Sequence, residues 1–218
     1  MPRSRRPDFR LWAIALLGAA IVGGGAWLRS QPARPDGTAA SGLAAEFLSR
    51  KERWGAKTGV GDVAGIDVAH PRPATVAELV ALPRPDGLPE HGGPGSERFD
   101  PVERTAYTID AKLLRYKWED KDDQDYHIVI TDWSNPGPTM IVEIPDPEAV
   151  DPSSPWRDVI ATVRKGFESE FHPTGRFTRR TAHIRVTGIG FFDFLHGQSG
   201  VAANGIELHP VTGLSIER

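Results

Sequence analysis

The fold of this chain is decided by the stretch RVTGIGFFDFLHGQSGVAANGIELHPV, residues 185–211. It predicts a strand, a glycine-rich loop that carries His196 and Gln198, an Asn204-Gly205 turn, and a closing strand. Two such strands need partners before they can bury a face, and the upstream sequence supplies them.

Three further strands are predicted before this stretch, at 105–119, 126–132 and 139–144, with an acidic hairpin turn at 119–125. Between the third and fourth strands lies the best amphipathic helix of the chain. Ser154 is its expected N-cap, Pro155 its first helical residue, and a stripe from Trp156 to Phe171 its apolar face.

The predicted fold is mainly β with one long helix, in the order β-β-β-α-β-β. This order is typical of an OB-fold-like five-stranded Greek-key barrel, in which the helix closes one end. A two-layer α+β sheet with the same order of elements is the alternative.

The N-terminus predicts export. Residues 1–10 form a basic segment with four arginines, and residues 11–28 are apolar, a length at the lower edge of what spans a bilayer core of about 30 Å. Arginines before the span place the N-terminus in the cytoplasm and the domain outside it, anchored in the membrane. The alternative is a signal sequence whose cleavage leaves the protein secreted or periplasmic.

The remaining boundaries follow from composition. Residues 29–42 are a linker rich in Pro, Ala, Gly and Ser, and residues 43–101 an extended, mostly irregular arm with short helices at 43–54 and 75–82. Thr75 and Glu78 predict a capping box for the second helix. Residues 102–215 are the β domain.

Composition excludes several kinds of chemistry. The net charge of −3 provides no broad basic field, so bulk binding to nucleic acid is disfavoured. The chain has no cysteine, which excludes disulfides, thiolate nucleophiles and cysteine-ligated zinc.

Several motifs together resemble a set of uncharacterised bacterial proteins that are exported or membrane-anchored. They are DYHIVI from Asp125, TMIVEIP from Thr139, GIGFFD from Gly188, HGQSG from His196 and GIELHPV from Gly205, and the similarity extends over residues 50–215. The resemblance implies an exported OB-like β domain with no established activity. The strand order is also similar to nuclease-type OB domains, but the paired arginines and carboxylates of those nucleases have no clear match here.

Strand alternation places polar side chains on one face of the sheet. His127 and Glu143 are expected to be neighbours, and Glu207 and His209 to flank Arg185. Three interpretations remain open: a solvated exterior, a structural polar network, or a divalent metal site built from His127, Glu143 and His209. No contiguous metal signature is present.

The loop between the last two strands carries Asp193, His196 and Gln198, and OB-folds use one loop of this kind for ligands. Glycine-rich loops also simply reverse the chain, so a structural role is the alternative. Ser199 does not stand in a nucleophile motif, which argues against a serine hydrolase.

Two functions follow as hypotheses, and whether the protein is an enzyme stays open. The first is a ligand- or partner-binding module that needs no cofactor and uses Asp193, His196, Gln198, Arg185, Glu207 and His209. The second is a metal-dependent hydrolase that cleaves phosphodiesters, as nucleases do. It would use a divalent metal and the side chains of His127, Glu143, His196 and His209.

Overall fold

The computed structural model describes residues 53–89, 95–119 and 124–217. The predicted basic segment, transmembrane helix or signal sequence, linker and most of the 43–54 helix lie outside these residues. Among the residues that are described, no helix has both the length and the apolar character needed to cross a membrane. The elements are α1 (Trp54–Thr58), β1 (Arg72–Ala74), α2 (Val76–Val80), a 3-10 turn (Val102–Arg104), β2 (Ala106–Trp118), β3 (Tyr126–Asp132), β4 (Met140–Ile144), α3 (Arg157–Phe171), β5 (Thr178–Phe192) and β6 (Ile206–Ile216).

The protein is mainly β, with one six-stranded sheet and few helices, as the sequence predicts in outline. The strand order is β1-β2-β3-β4-β6-β5, and β2 pairs with β5 as well as with β3. The pairs are antiparallel except for β1 with β2 and β4 with β6. The sequence analysis missed β1, because three residues that include Pro73 carry no recognisable alternation.

Helix α3 packs its aromatic side chains onto the core face of the sheet. Phe167 is fully buried, and Tyr116 of β2 meets both Phe167 and Phe171 edge to face at 5.4 Å. The apolar stripe is therefore confirmed. The predicted helix start is wrong, since α3 begins at Arg157 and the hydroxyl of Ser154 instead donates to the carbonyl of Thr58 at 2.6 Å.

The arm packs on the sheet through α1 and α2. The capping box of α2 is confirmed: the side chain of Thr75 accepts from the Glu78 amide, and the Glu78 carboxylate accepts from the Thr75 amide. The carboxylate of Asp132, at the end of β3, accepts from two further amides of the first turn. Helix α1 includes Gly55 and extends beyond residue 54, where the first helix of the arm is predicted to end.

Candidate functional site

The face of the sheet that turns away from the hydrophobic core carries charged side chains, and these are buried. His127 and Glu143 are register partners on β3 and β4, as predicted. Seven buried side chains form a polar cluster. Lys57 comes from α1, and the β domain contributes Asp125, His127, Glu143, Asp193, Glu207 and His209.

Helix α1 covers this cluster and contributes Lys57 to it. The Nζ atom of Lys57 lies 3.8 Å from Oε2 of Glu143 and 3.8 Å from Oδ2 of Asp193. The backbone carbonyl of Lys57 accepts a hydrogen bond from Nδ1 of His209 at 2.9 Å. The solvated-exterior interpretation is therefore wrong, because a second layer of chain covers the polar face.

Buried polar contacts attach α1 to the sheet. The guanidinium of Arg53 donates to both carboxylate oxygens of Glu103, at 2.9 and 2.7 Å, and to the carbonyl of Phe192 at 2.6 Å. The indole of Trp54 donates to the carbonyl of Ala149 at 3.1 Å. These bonds, with a bidentate ion pair among them, make α1 a fixed wall of the site.

Three side chains of the cluster point their ligand atoms at one another. Nε2 of His209 lies 2.9 Å from Oδ2 of Asp125 and 3.5 Å from Oε2 of Glu143. All three ligand atoms lie within 4.8 Å of each other, and all three residues are buried. Two ligands of one ion, each about 2.0–2.2 Å from it in tetrahedral directions, lie about 3.4 Å apart, so these separations suit a common metal position.

Hydrogen bonding determines the protonation of this triad. Since Nδ1 of His209 donates to a carbonyl, Nε2 of the neutral ring is an acceptor and needs a donor opposite it. Burial, with the charge of Glu143, raises the pKa of Asp125 well above its usual range, and burial lowers the pKa of His209 to about 4. Asp125 is therefore a carboxylic acid that donates to His209, and its Oδ1 atom is buried without a hydrogen-bond partner among the described residues.

His127 is in the opposite state. Its Nε2 faces the carbonyl of Ser199 at 3.0 Å and its Nδ1 faces Glu143 at 3.1 Å, so both nitrogens donate. Burial disfavours the charged form of His127 and acts to lower its pKa. The hydrogen bond to Glu143 acts in the opposite direction, and the pKa of His127 is raised. The same bond, with the charge of Lys57, lowers the pKa of Glu143 to about 2 against the effect of burial. His127 thus orients Glu143 and has no lone pair left for a metal, and the group whose ligand atoms converge contains Asp125 in place of the predicted His127.

Glu207 is the second buried acid of the cluster whose pKa is raised. Burial, followed by the charge of Glu143, raises its pKa well above the usual range. Its Oε1 atom is buried and has no hydrogen-bond partner in the described part of the chain. The carboxylates of Glu143 and Asp193, by contrast, lie close to the positive charges of Lys57 and His127.

The loop after β5 brings one of its three predicted residues into the cluster. Asp193 is buried, accepts from Nε2 of Gln198 at 3.1 Å, and lies 3.8 Å from Nε2 of His196. Burial acts to raise the pKa of Asp193, but the charge of Lys57 acts against burial, and the pKa is lowered. His196 is exposed at the rim, stacked on Phe194, and Gln198 shapes the loop through bonds to Asp193, Phe194 and the His196 amide.

Arg185 lies away from the cluster. It pairs in register with Ser215, and its exposed guanidinium is 3.7 Å from Glu217. The expectation that Glu207 and His209 flank it is wrong, because the β5–β6 register sets Glu207 opposite Phe191, which lies six residues along β5 from Arg185.

Sequence analysis also missed two residues of the site. Asp125 stands at the end of an acidic turn, where its adjacency to the alternating strand was the available signal. Lys57 gave no signal, because its position depends on how α1 docks. No protein-family model, curated protein or solved structure matches the chain.

Proposed function

We propose that this protein is a membrane-anchored, extracytoplasmic binding domain with an OB-fold-like barrel, and that its ligand is a divalent metal ion. The observation that carries the proposal is the convergence of Asp125, Glu143 and His209 on one buried point. One imidazole and two carboxylates are donors that suit first-row metals such as zinc and manganese.

The unpartnered oxygen of Asp125 supports a cation. Its Oδ1 atom is buried without a donor, at a cost of about 1–3 kcal/mol, and a cation bound by both oxygens of the carboxylate would satisfy it. The bond from His127 to Glu143 supports the same assignment, since ligand carboxylates are oriented by hydrogen bonds from outside the metal's first shell.

The strand pairings support the barrel. They run β2-β3-β4-β6-β5 and return to β2, with β4 and β6 parallel and α3 between β4 and β5. This is the circuit of a five-stranded OB-fold. The basic and apolar N-terminal segments support an anchor with the domain outside the cytoplasm, or a secreted or periplasmic protein if the segment is cleaved.

Burial supports metal binding over metal-dependent hydrolysis. A hydrolytic metal keeps a coordination position open to water and substrate. Asp125 and His209 are 1% and 0% exposed, beneath α1. His196, which the hydrolase hypothesis also uses, lies at the rim, and its contact is with Asp193.

The test is a metal titration of the full-length chain in detergent after treatment with a chelator. We expect one zinc or manganese ion to bind and to raise the melting temperature, since a ligand at 100 times its Kd stabilises by about 2.7 kcal/mol. Calcium, which prefers more oxygen ligands, should have a smaller effect.

Asp125→Asn should abolish the shift, because an amide is a poor substitute for a carboxylate ligand. The matched control is Asp110→Asn, which removes a surface carboxylate that lies 2.7 Å from Nε2 of His183. The proposal is overturned if neither metal binds the wild type, or if Asp125→Asn binds as the wild type does.

A further inference from the structure

A second surface carries an excess of positive charge. It lies on the outer side of β2 and β5 and adjoins the polar cluster, since the ring of Phe177 on this face lies 5.6 Å from that of His127. This basic face consists of Lys112, Arg115, Lys117, Arg176, Arg179 and the ring of Phe177. Among the described residues, no carboxylate lies within 4.0 Å of the cationic groups of Lys112, Arg115, Arg176 or Arg179. Lys117 is ion-paired, with its Nζ atom 2.6 Å from Oε1 of Glu119, so the unpaired charge of the face comes from the other four cations.

Two of these cations oppose each other directly. Arg115 on β2 and Arg179 on β5 are register partners, and like charges directly opposite on neighbouring strands are destabilising. The Nε atom of Arg115 is also buried with no hydrogen-bond partner in the described residues. Without a ligand, Arg115 and Arg179 therefore repel each other, and a bound anion would relieve this repulsion.

One aromatic ring lies among the cations. Phe177 is 36% exposed, and the guanidinium of Arg115 and the ammonium of Lys117 each lie 5.1 Å from its ring centre. Exposed rings set in a basic groove are the features on which unpaired bases stack.

We propose that the basic face binds single-stranded nucleic acid, with phosphates at Lys112, Arg115 and Arg179 and a base stacked on Phe177. Alternate residues of a strand lie about 6.6–6.8 Å apart, a repeat close to that of successive phosphates on an extended strand. A duplex hides its base faces inside the stack, so a base of a duplex could not stack on Phe177. The net charge of −3 does not oppose the assignment, because the positive charge is local.

The test is fluorescence anisotropy with a labelled oligo-dT of about 16 nucleotides and the full-length chain in detergent. EDTA is present throughout, so that the result does not depend on the metal site. Binding should weaken with salt, and the double variant Arg115→Gln/Arg179→Gln should lower the slope of log K against log salt by about 1.4. Phe177→Ala should weaken binding roughly ten-fold with an unchanged slope.

The matched control is Lys165→Gln, which removes an exposed cation on α3 and should leave both quantities unchanged. Melting temperatures of all variants verify folding. The proposal is overturned if oligo-dT does not bind, if a duplex of equal length binds as tightly, or if heparin competes while Phe177→Ala has no effect, since that pattern indicates an acidic polysaccharide.

Discussion

The Nε2 atom of His209 lies 2.9 Å from Oδ2 of Asp125, and both side chains are buried. Nδ1 of the same ring is committed to the carbonyl of Lys57. One proton must therefore lie between Asp125 and His209 in the metal-free protein, and a metal ion would occupy its place.

Metal binding should therefore release protons. At pH 7 we expect at least one proton to leave for each ion bound, because the metal needs the Asp125 carboxylate and the free Nε2 of His209. Affinity should fall as the pH is lowered. Calorimetry in two buffers with different ionisation enthalpies measures the number of protons, and equal heats in the two buffers would contradict the shared-proton geometry.

Glu207→Gln should stabilise the metal-free protein, and increasingly so at higher pH. A folded-state pKa above the unfolded value contributes stability that is present at low pH and is lost as the pH rises, so wild-type Glu207 destabilises the fold above its unfolded pKa. Glutamine avoids this loss. The melting temperature should rise by about 2–4 °C for each kcal/mol gained, more at pH 8 than at pH 5.

The control for that variant is Glu97→Gln, at an exposed position. It should show no pH-dependent gain. A Glu207→Gln variant that melts at or below the wild-type temperature at pH 8 would show that Glu207 is ionised and paired in the folded protein.

Arg53→Met should detach α1 from the sheet. It leaves the Glu103 carboxylate buried and without its bidentate partner, at a cost of about 3–5 kcal/mol. Arg104→Met is the matched control, because it breaks an exposed Arg–Asp62 pair at 2.6 Å, and it should leave the urea midpoint unchanged. Equal midpoints for the two variants would argue against α1 as a fixed wall of the site.

Gly205→Ala should destabilise the closing turn of the site more than Gly197→Ala does. Both glycines have positive φ, 78° and 86°, so both alanines meet the same strain of about 1–2 kcal/mol. A Cβ at Gly205 would also lie 2.4 Å from the carbonyl oxygen of Asp193, whereas a Cβ at Gly197 meets open space. The excess, about 1–3 kcal/mol, should be visible in urea unfolding. If the two alanines cost the same, the Asp193 backbone moves freely.

Local pattern was sufficient for much of the fold. The period of two in 126–132 and 139–144 predicted β3 and β4, and the Thr75–Glu78 box predicted where α2 begins, because both depend on neighbours in sequence. Alternation along two joined strands was also enough to predict that His127 and Glu143 are neighbours.

The chemistry of the site was decided by contacts between distant parts of the chain. Alternation assigned Glu207 and His209 to a face but could not say whether that face meets water. Docking of α1 buries it, supplies Lys57, and lowers the dielectric constant around four carboxyl groups, which is why the pKa values of Asp125 and Glu207 are raised. The stretch 185–211 therefore determined where the last two strands run, whereas the packing of residues 53–60 over them determined what their polar side chains can bind.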